Sequence, residues 1–231
     1  MLPFVFTPIF LASLVISSPT PSNFLDQSTS RLTVPPNNPG WVDPRESGGR
    51  MLDWATRRYG EPLNIIISGQ SDPRILTVPG LIRYANSIGY AEECFGIHYG
   101  RIHEADLGDG QGRKDEQFLA RQTYFPVFGT CWQSIVGGHH FRAWQQNSTQ
   151  AWFLAASKEM DSGKHHKIVP DGYNQGRDWF VERAVAGSSW RGMWWQADVE
   201  WQTGLLEPGH HNVNHNISQD GLTAILTVHR I

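Results

Sequence analysis

The sequence predicts one α+β domain over residues 50–231, a mixed β-sheet packed against two or three helices. Three observations carry that reading. A β-branched run, Leu63 to Ser68, has the composition of a buried strand. An amphipathic helix follows it, with Leu81, Tyr84, Ala85 and Ile88 at i, i+3, i+4 and i+7. Further on, Gly137 to Gln146 alternates like a strand and Ala151 to Ser157 returns as another, ahead of a helical stretch from Asp171 to Ala186.

Taken in chain order, Leu2 to Ile16 is almost wholly apolar, too short for the ~20 residues of a membrane span, and has small residues after it. Residues 1–17 therefore read as a signal peptide, with no membrane span left after its removal and a secreted, extracellular destination. Residues 18–49 are rich in Pro, Ser and Asn and read as a flexible lead-in. Met51 to Tyr59 has the pattern of a short helix stopped by Gly60 and Pro62. After the Leu63–Ser68 strand, Pro79 and Gly89 bracket the helix, and Glu92 to His98 reads as a strand. Gly100 to Gly112 reads as a solvated acidic loop, because no register supplies the ligand positions of an EF-hand. Asn147-Ser148-Thr149 marks a hairpin turn. Trp194–Gln202 and Leu222–His229 supply further strands, with Trp195, Ala197, Val199 and Trp201 on one core-facing side.

Composition narrows the function. Net charge is -3 with neutral His and no basic run occurs, so no nucleic-acid footprint is present. Two cysteines, Cys94 and Cys131, in an oxidising compartment are read as one disulfide. Asn147 and Asn216 head glycosylation sequons. No nucleophile elbow, phosphate loop or H-E-x-x-H motif is found.

The chemistry-bearing residues concentrate between Gly137 and Glu182. Alternation on the strand sets His140 beside Arg142, a base next to a fixed cation, with His139 facing the other way. In the later helix Arg177 falls on the apolar stripe, so it requires a carboxylate, with Asp171, Asp178 and Glu159 available. The expected site is one polar cluster of His139, His140, Arg142, His166, Asp171, Arg177 and Asp178. With His165 or His166 and Asp171 there are donors enough for a divalent metal, but the spacing matches no known metal motif, so no cofactor is predicted. His210, His211 and His215 read as an open loop.

The order of motifs resembles the LssY-like C-terminal domain, a domain of uncharacterised function that small secreted proteins of basidiomycete fungi carry alone. The resemblance rests on L-N-I-I-I-S-G, A-x-x-x-G-Y, G-R-K-D-E-Q-F, H-H-F-R-A-W, W-F-L-A-A-S-K-E and I-V-P-D-G-Y-N, and spans Leu63 to Ala186. It departs at Asn174, where the family has an acidic residue. The resemblance implies where the site lies and supplies no activity. Three function classes stay open: a secreted protein binding a small polar or anionic ligand, a hydrolase acting on a phosphoester-like substrate, and a carbohydrate-binding module using Trp190 and Trp194 on an extracellular glycan.

Overall fold

The computed structural model describes residues 40–98 and 100–231. The expected signal peptide and most of the lead-in lie outside the described residues. Ten strands and three α-helices are described: β1 (Ile65–Ile67), α1 (Val78–Ser87), β2 (Tyr90–Glu92), β3 (Glu104–Asp106), β4 (Arg113–Asp115), β5 (Phe118–Gln122), α2 (Gly129–Val136), β6 (Gly138–Gln145), β7 (Trp152–Glu159), α3 (Gly172–Ala186), β8 (Ser188–Trp190), β9 (Met193–Gln202) and β10 (Thr223–Arg230). Eight strands form one curled mixed sheet in the order β2-β5-β6-β7-β1-β10-β9-β8, and β3 and β4 form a separate hairpin. Within the large sheet β1 and β10 run parallel and the other neighbours antiparallel. No helix among the described residues is long and apolar enough to cross a membrane.

The period of two decides what each face carries. His139, Phe141 and Ala143 of β6 share a face with Leu154 and Ala156 of β7 and Ile65 and Ile67 of β1. This face is covered by α1 and α3, whose Leu81, Tyr84, Phe180 and Ala184 complete the larger core. The opposite face carries Trp144, Phe153, Ala155 and Ile66, covered by the segment around Met51, by Ala105 and Leu107 of the β3–β4 hairpin, and by Leu205 and Leu206. Burial on this scale contributes about 2–3 kcal/mol for a side chain such as Phe180, which is fully enclosed.

Helix α1 begins as its sequence dictates, with Thr77 Oγ1 accepting from the Gly80 amide at 3.2 Å. Helix α3 lies against β7 so closely that a Cβ at Gly176 would sit 2.3 Å from the Ser157 Cα. Only glycine permits that approach.

Four local expectations differ. Met51 to Tyr59 is not helical: Asp53 Oδ1 captures the amides of Ala55 (3.1 Å) and Glu61 (2.6 Å), turning the chain back on itself. The strand expected over Glu92–His98 is β2, which ends at Glu92; a short 3-10 turn at Cys94–Gly96 follows, with Phe95 left-handed at φ 54°. That turn delivers Cys94 to Cys131 on α2, and the predicted disulfide is present. The Gly100–Gly112 loop contains β3, and its Asp109 carboxylate accepts from Lys114 Nζ (2.8 Å) and the Asn147 amide (2.7 Å). Residues 41–47, read as lead-in, pack on the domain: Trp41 lies against the smaller core and Val42 exchanges hydrogen bonds with the Gln146 side chain.

Candidate functional site

Four stretches of chain converge over the end of β5, β6 and β7 on the face opposite α3: the turn ending at Glu61, the segment 100–103, the loop 162–168, and Asn214–His215. They enclose a cavity of about 410 Å³ lined by Arg101, Arg121, Arg142, His103, His140, His165, His166, His215, Glu61 and Glu159, with a few smaller groups. Three guanidinium and five imidazole groups thus face two carboxylates. At the rim His165 (φ 55°), His166 (φ 51°), His215 (φ 58°) and Asn216 (φ 57°) are left-handed without being glycine. Such backbone is sparsely populated and clusters at functional sites.

Glu159 is the hub. One oxygen accepts from Arg121 Nη1 at 2.7 Å and lies 3.5 Å from His166 Nδ1; the other lies 3.4 Å from His140 Nδ1. Gln133 Nε2 from α2 donates to it at 3.3 Å, and Arg121 also reaches Glu93 at 3.0 Å. Burial alone would raise the Glu159 carboxyl, but His140, His166 and Arg121 hold it well below the usual carboxylate range. Burial, with Arg121 and Arg142 close by, pushes His140 far down despite Glu159. The two shifts do not both draw on a charged His140: with the imidazole neutral, Arg121 at 2.7 Å is the cation that keeps Glu159 ionised.

Arg142, across β6 from this hub, pairs with Glu116 through Nη1, while its Nε has no hydrogen-bond partner. The cleft beyond Glu116 carries Glu92, Glu93, Asp115 and Glu116, so the Arg142–Glu116 pair lies between an acidic cleft and the Arg- and His-lined cavity. Ser157 Oγ sits 3.2 Å from Nε2 and 3.4 Å from Nδ1 of His140. Near-equal distances to both nitrogens place the hydroxyl beside the ring rather than along one N–H axis, and Ser157 is fully enclosed. The trio Ser157, His140 and Glu159 therefore lacks the directed hydrogen bonds of a nucleophilic triad.

At the cavity's other end Asp53, Glu61 and His103 each offer a ligand atom within 4.8 Å of the others. Asp53 Oδ2 meets His103 Nδ1 at 2.8 Å. Burial pushes both carboxyls well above the usual carboxylate range, and Asp53 adds to the rise at Glu61. Burial lowers His103. Their support is a Trp54 ring held between two guanidiniums, Arg50 at 3.2 Å and Arg113 at 3.5 Å from its centroid; at those distances both cannot share one face.

Of the residues expected to share a cluster, His140, Arg142 and His166 line this cavity. The others lie elsewhere. His139 has the opposite parity and stacks on Trp179 at 4.7 Å on the helix side. Arg177 is buried as its place on the stripe requires, but its carboxylates are Asp178 (2.8 Å) and Asp220 (2.6 Å), under the Trp201 ring. Asp171 is exposed, makes no cap to the backbone and accepts from Asn174 Nδ2 at 2.6 Å. The sheet itself separates the Arg177 cluster from His140.

Asp53, Glu61, His103 and Arg121 escaped the sequence reading. The helix assigned to Met51–Tyr59 hid Asp53, and β5 is short; the signal available was the Asp53–Glu61 pair closing on Gly60 and Pro62. Trp190 and Trp194 are both partly exposed, but the register Ser189↔Trp194 and Trp190↔Met193 puts them on opposite faces of the β8–β9 ribbon, where they share no platform. Asn147 and Asn216 are exposed. Comparison with protein-family models, curated proteins and solved structures finds no match, and the site is read from its own residues.

Proposed function

We propose that this is a secreted protein, glycosylated at Asn147 and Asn216, whose cavity binds a small anionic ligand of the phosphate or phosphoester class. The observation that carries the reading is the donor set of the lining: three guanidiniums and five imidazoles converge on one cavity, Arg121 and Arg142 already meet Glu159 and Glu116, and Arg101 forms no ion pair among the described residues. Guanidinium forks match the oxygens of phosphate in pairs.

A second reading, a hydrolase on the same ligand class, rests on His140, whose neutral imidazole lines the cavity 3.4 Å from the Glu159 carboxylate. The two readings part in one experiment. Inorganic phosphate is titrated calorimetrically into wild type and Arg101→Ala, and p-nitrophenyl phosphate is offered to the same samples. Arg101 is exposed at the rim, so its removal leaves the fold intact. A charge-assisted hydrogen bond contributes about 1.5–3 kcal/mol, and its loss weakens phosphate about tenfold or more. Binding without turnover supports the binding protein, and turnover lost in His140→Ala supports the hydrolase. No saturable binding of phosphate, or equal affinity in Arg101→Ala, overturns both.

A further inference from the structure

We propose that Asp53, Glu61 and His103 bind a divalent first-row transition cation, manganese, iron or zinc, at the wall of the cavity. The three side chains come from the reversed turn 53–61 and the segment before β3, and their ligand atoms already lie within 4.8 Å of one another. Around a cation with bonds of about 2.1 Å in tetrahedral geometry the ligands sit about 3.4 Å apart. Closing a pair at the 4.8 Å limit around an ion therefore takes a relative movement of about 1.4 Å, within the reach of side-chain rotation.

Glu61 gives the independent observation. It is only 4% exposed, yet its Oε2 has no hydrogen-bond partner. Among the described residues no basic side chain forms an ion pair with it: Arg142 is directed to Glu116 and Arg50 to the carbonyls of Leu52 and Asp53. A carboxylate buried without a donor beside a second carboxylate is costly, and a divalent cation removes both the desolvation and the repulsion.

The backbone holds these ligands in place before any ion arrives. Asp53 N donates to Glu61 O at 2.9 Å, Trp54 N to Glu104 O at 2.7 Å, and Gly60 N to Asn212 O at 3.0 Å. A Cβ at Gly60 would fall 2.0 Å from the Asp53 carbonyl oxygen, so the glycine is what lets Glu61 return to Asp53. Two carboxylates and one imidazole, with no thiolate, suit a borderline cation and, through the imidazole, discriminate against magnesium and calcium. Glu61 and His103 also line the cavity, so coordination positions beyond the three protein ligands open towards it. That is the layout of a site whose cation meets a ligand, rather than one closed for structure.

The metal site deepens the reading of the cavity but stands on different residues from the anion site, and its test contains no phosphate. Chelator-treated full-length protein is titrated calorimetrically with Mn²⁺ and with Zn²⁺, alongside Glu61→Gln, Glu61→Asp and His211→Ala. The expected result is a single equivalent in wild type and in His211→Ala, with affinity at least tenfold weaker in Glu61→Gln. Glu61 Oε2 has no hydrogen-bond partner among the described residues, so Glu61→Gln is expected to melt close to the wild-type temperature before metal is added. Glu61→Asp is the second variant should the amide misfold, and it is expected to keep the cation at reduced affinity. Absence of a saturable equivalent in wild type overturns the proposal. So does unchanged affinity in Glu61→Gln, or loss of binding in His211→Ala, which places the ion on the exposed histidine loop.

Discussion

Replacing Glu159 by glutamine tests the hub of the cavity through stability alone. The amide keeps the volume and removes the charge that Arg121 meets at 2.7 Å, where both partners are less than a tenth exposed. Breaking such a buried pair costs about 3–5 kcal/mol. Arg121 keeps Glu93 at 3.0 Å, so the cost falls at the lower end, about 3 kcal/mol. For a chain of this length that corresponds to a melting temperature lower by about 6–12 °C. Acid supplies the sharper readout. Because the folded Glu159 carboxyl lies below its ordinary value of 4.5, its stabilisation is fully present above pH 4.5 and is lost as pH falls towards the folded value. The gap between wild type and Glu159→Gln should therefore narrow by about 1.4 kcal/mol for each pH unit below 4.5. Urea denaturation of both proteins at pH 7 and pH 3.5 measures it. A loss under about 1 kcal/mol at pH 7, or the same gap at both pH values, refutes the hub.

Two further outcomes are accessible with the same assay. The Cys94–Cys131 bond closes 37 residues, and on the chain-entropy account its reduction should cost about 4 kcal/mol; a change below about 1 kcal/mol shows that the crosslink does not restrain the unfolded chain. Burial, then Lys158 and Arg183, lowers His139 to about 4, so its neutral form is favoured in the fold and stability should fall as pH drops from 6.5 towards 4. His139→Gln should flatten that part of the pH profile, and an unchanged profile would mean that the imidazole on Trp179 is not what acid attacks.

Elements marked by a period or by a run of apolar residues were legible, and the loops between them were not. The runs that became β1, α1, β6, β7, α3, β9 and β10 each carry one of those marks, the β-branched Ile65–Ile67 as a run and α1 and β6 as a period, and the structure forms them all. Parity on β6 separated His139 from His140, and the helical stripe placed Arg177 inside. What neither period encodes is which loop folds over which face. Arg177 found Asp220, distant in sequence, because the start of β10 passes beneath α3; no local pattern announces that. The helix pattern of Met51–Tyr59 lost to a side chain: one Asp53 oxygen, satisfying two amides, outcompeted the intrahelical ladder. The same competition hid two of the three proposed cation ligands.

The three-residue β1 has a consequence for how the molecule assembles. It is the seam of the sheet, joining Ile66 to Phe153 on one side and to Ile225 on the other. On one side of the seam β2, β5, β6 and β7 are antiparallel strands from one continuous stretch of chain, and on the other β8, β9 and β10 form a meander. Each half pairs largely with its own sequence neighbours, at low loop-closure cost, whereas the seam requires contacts across most of the chain. The two halves are thus free to form before they join. The cavity draws its walls from both sides of that seam, with Glu159 and His140 on one half and His215 from the connection between β9 and β10. Its walls meet only when the two halves are joined, so an intact pocket reports that the seam is closed.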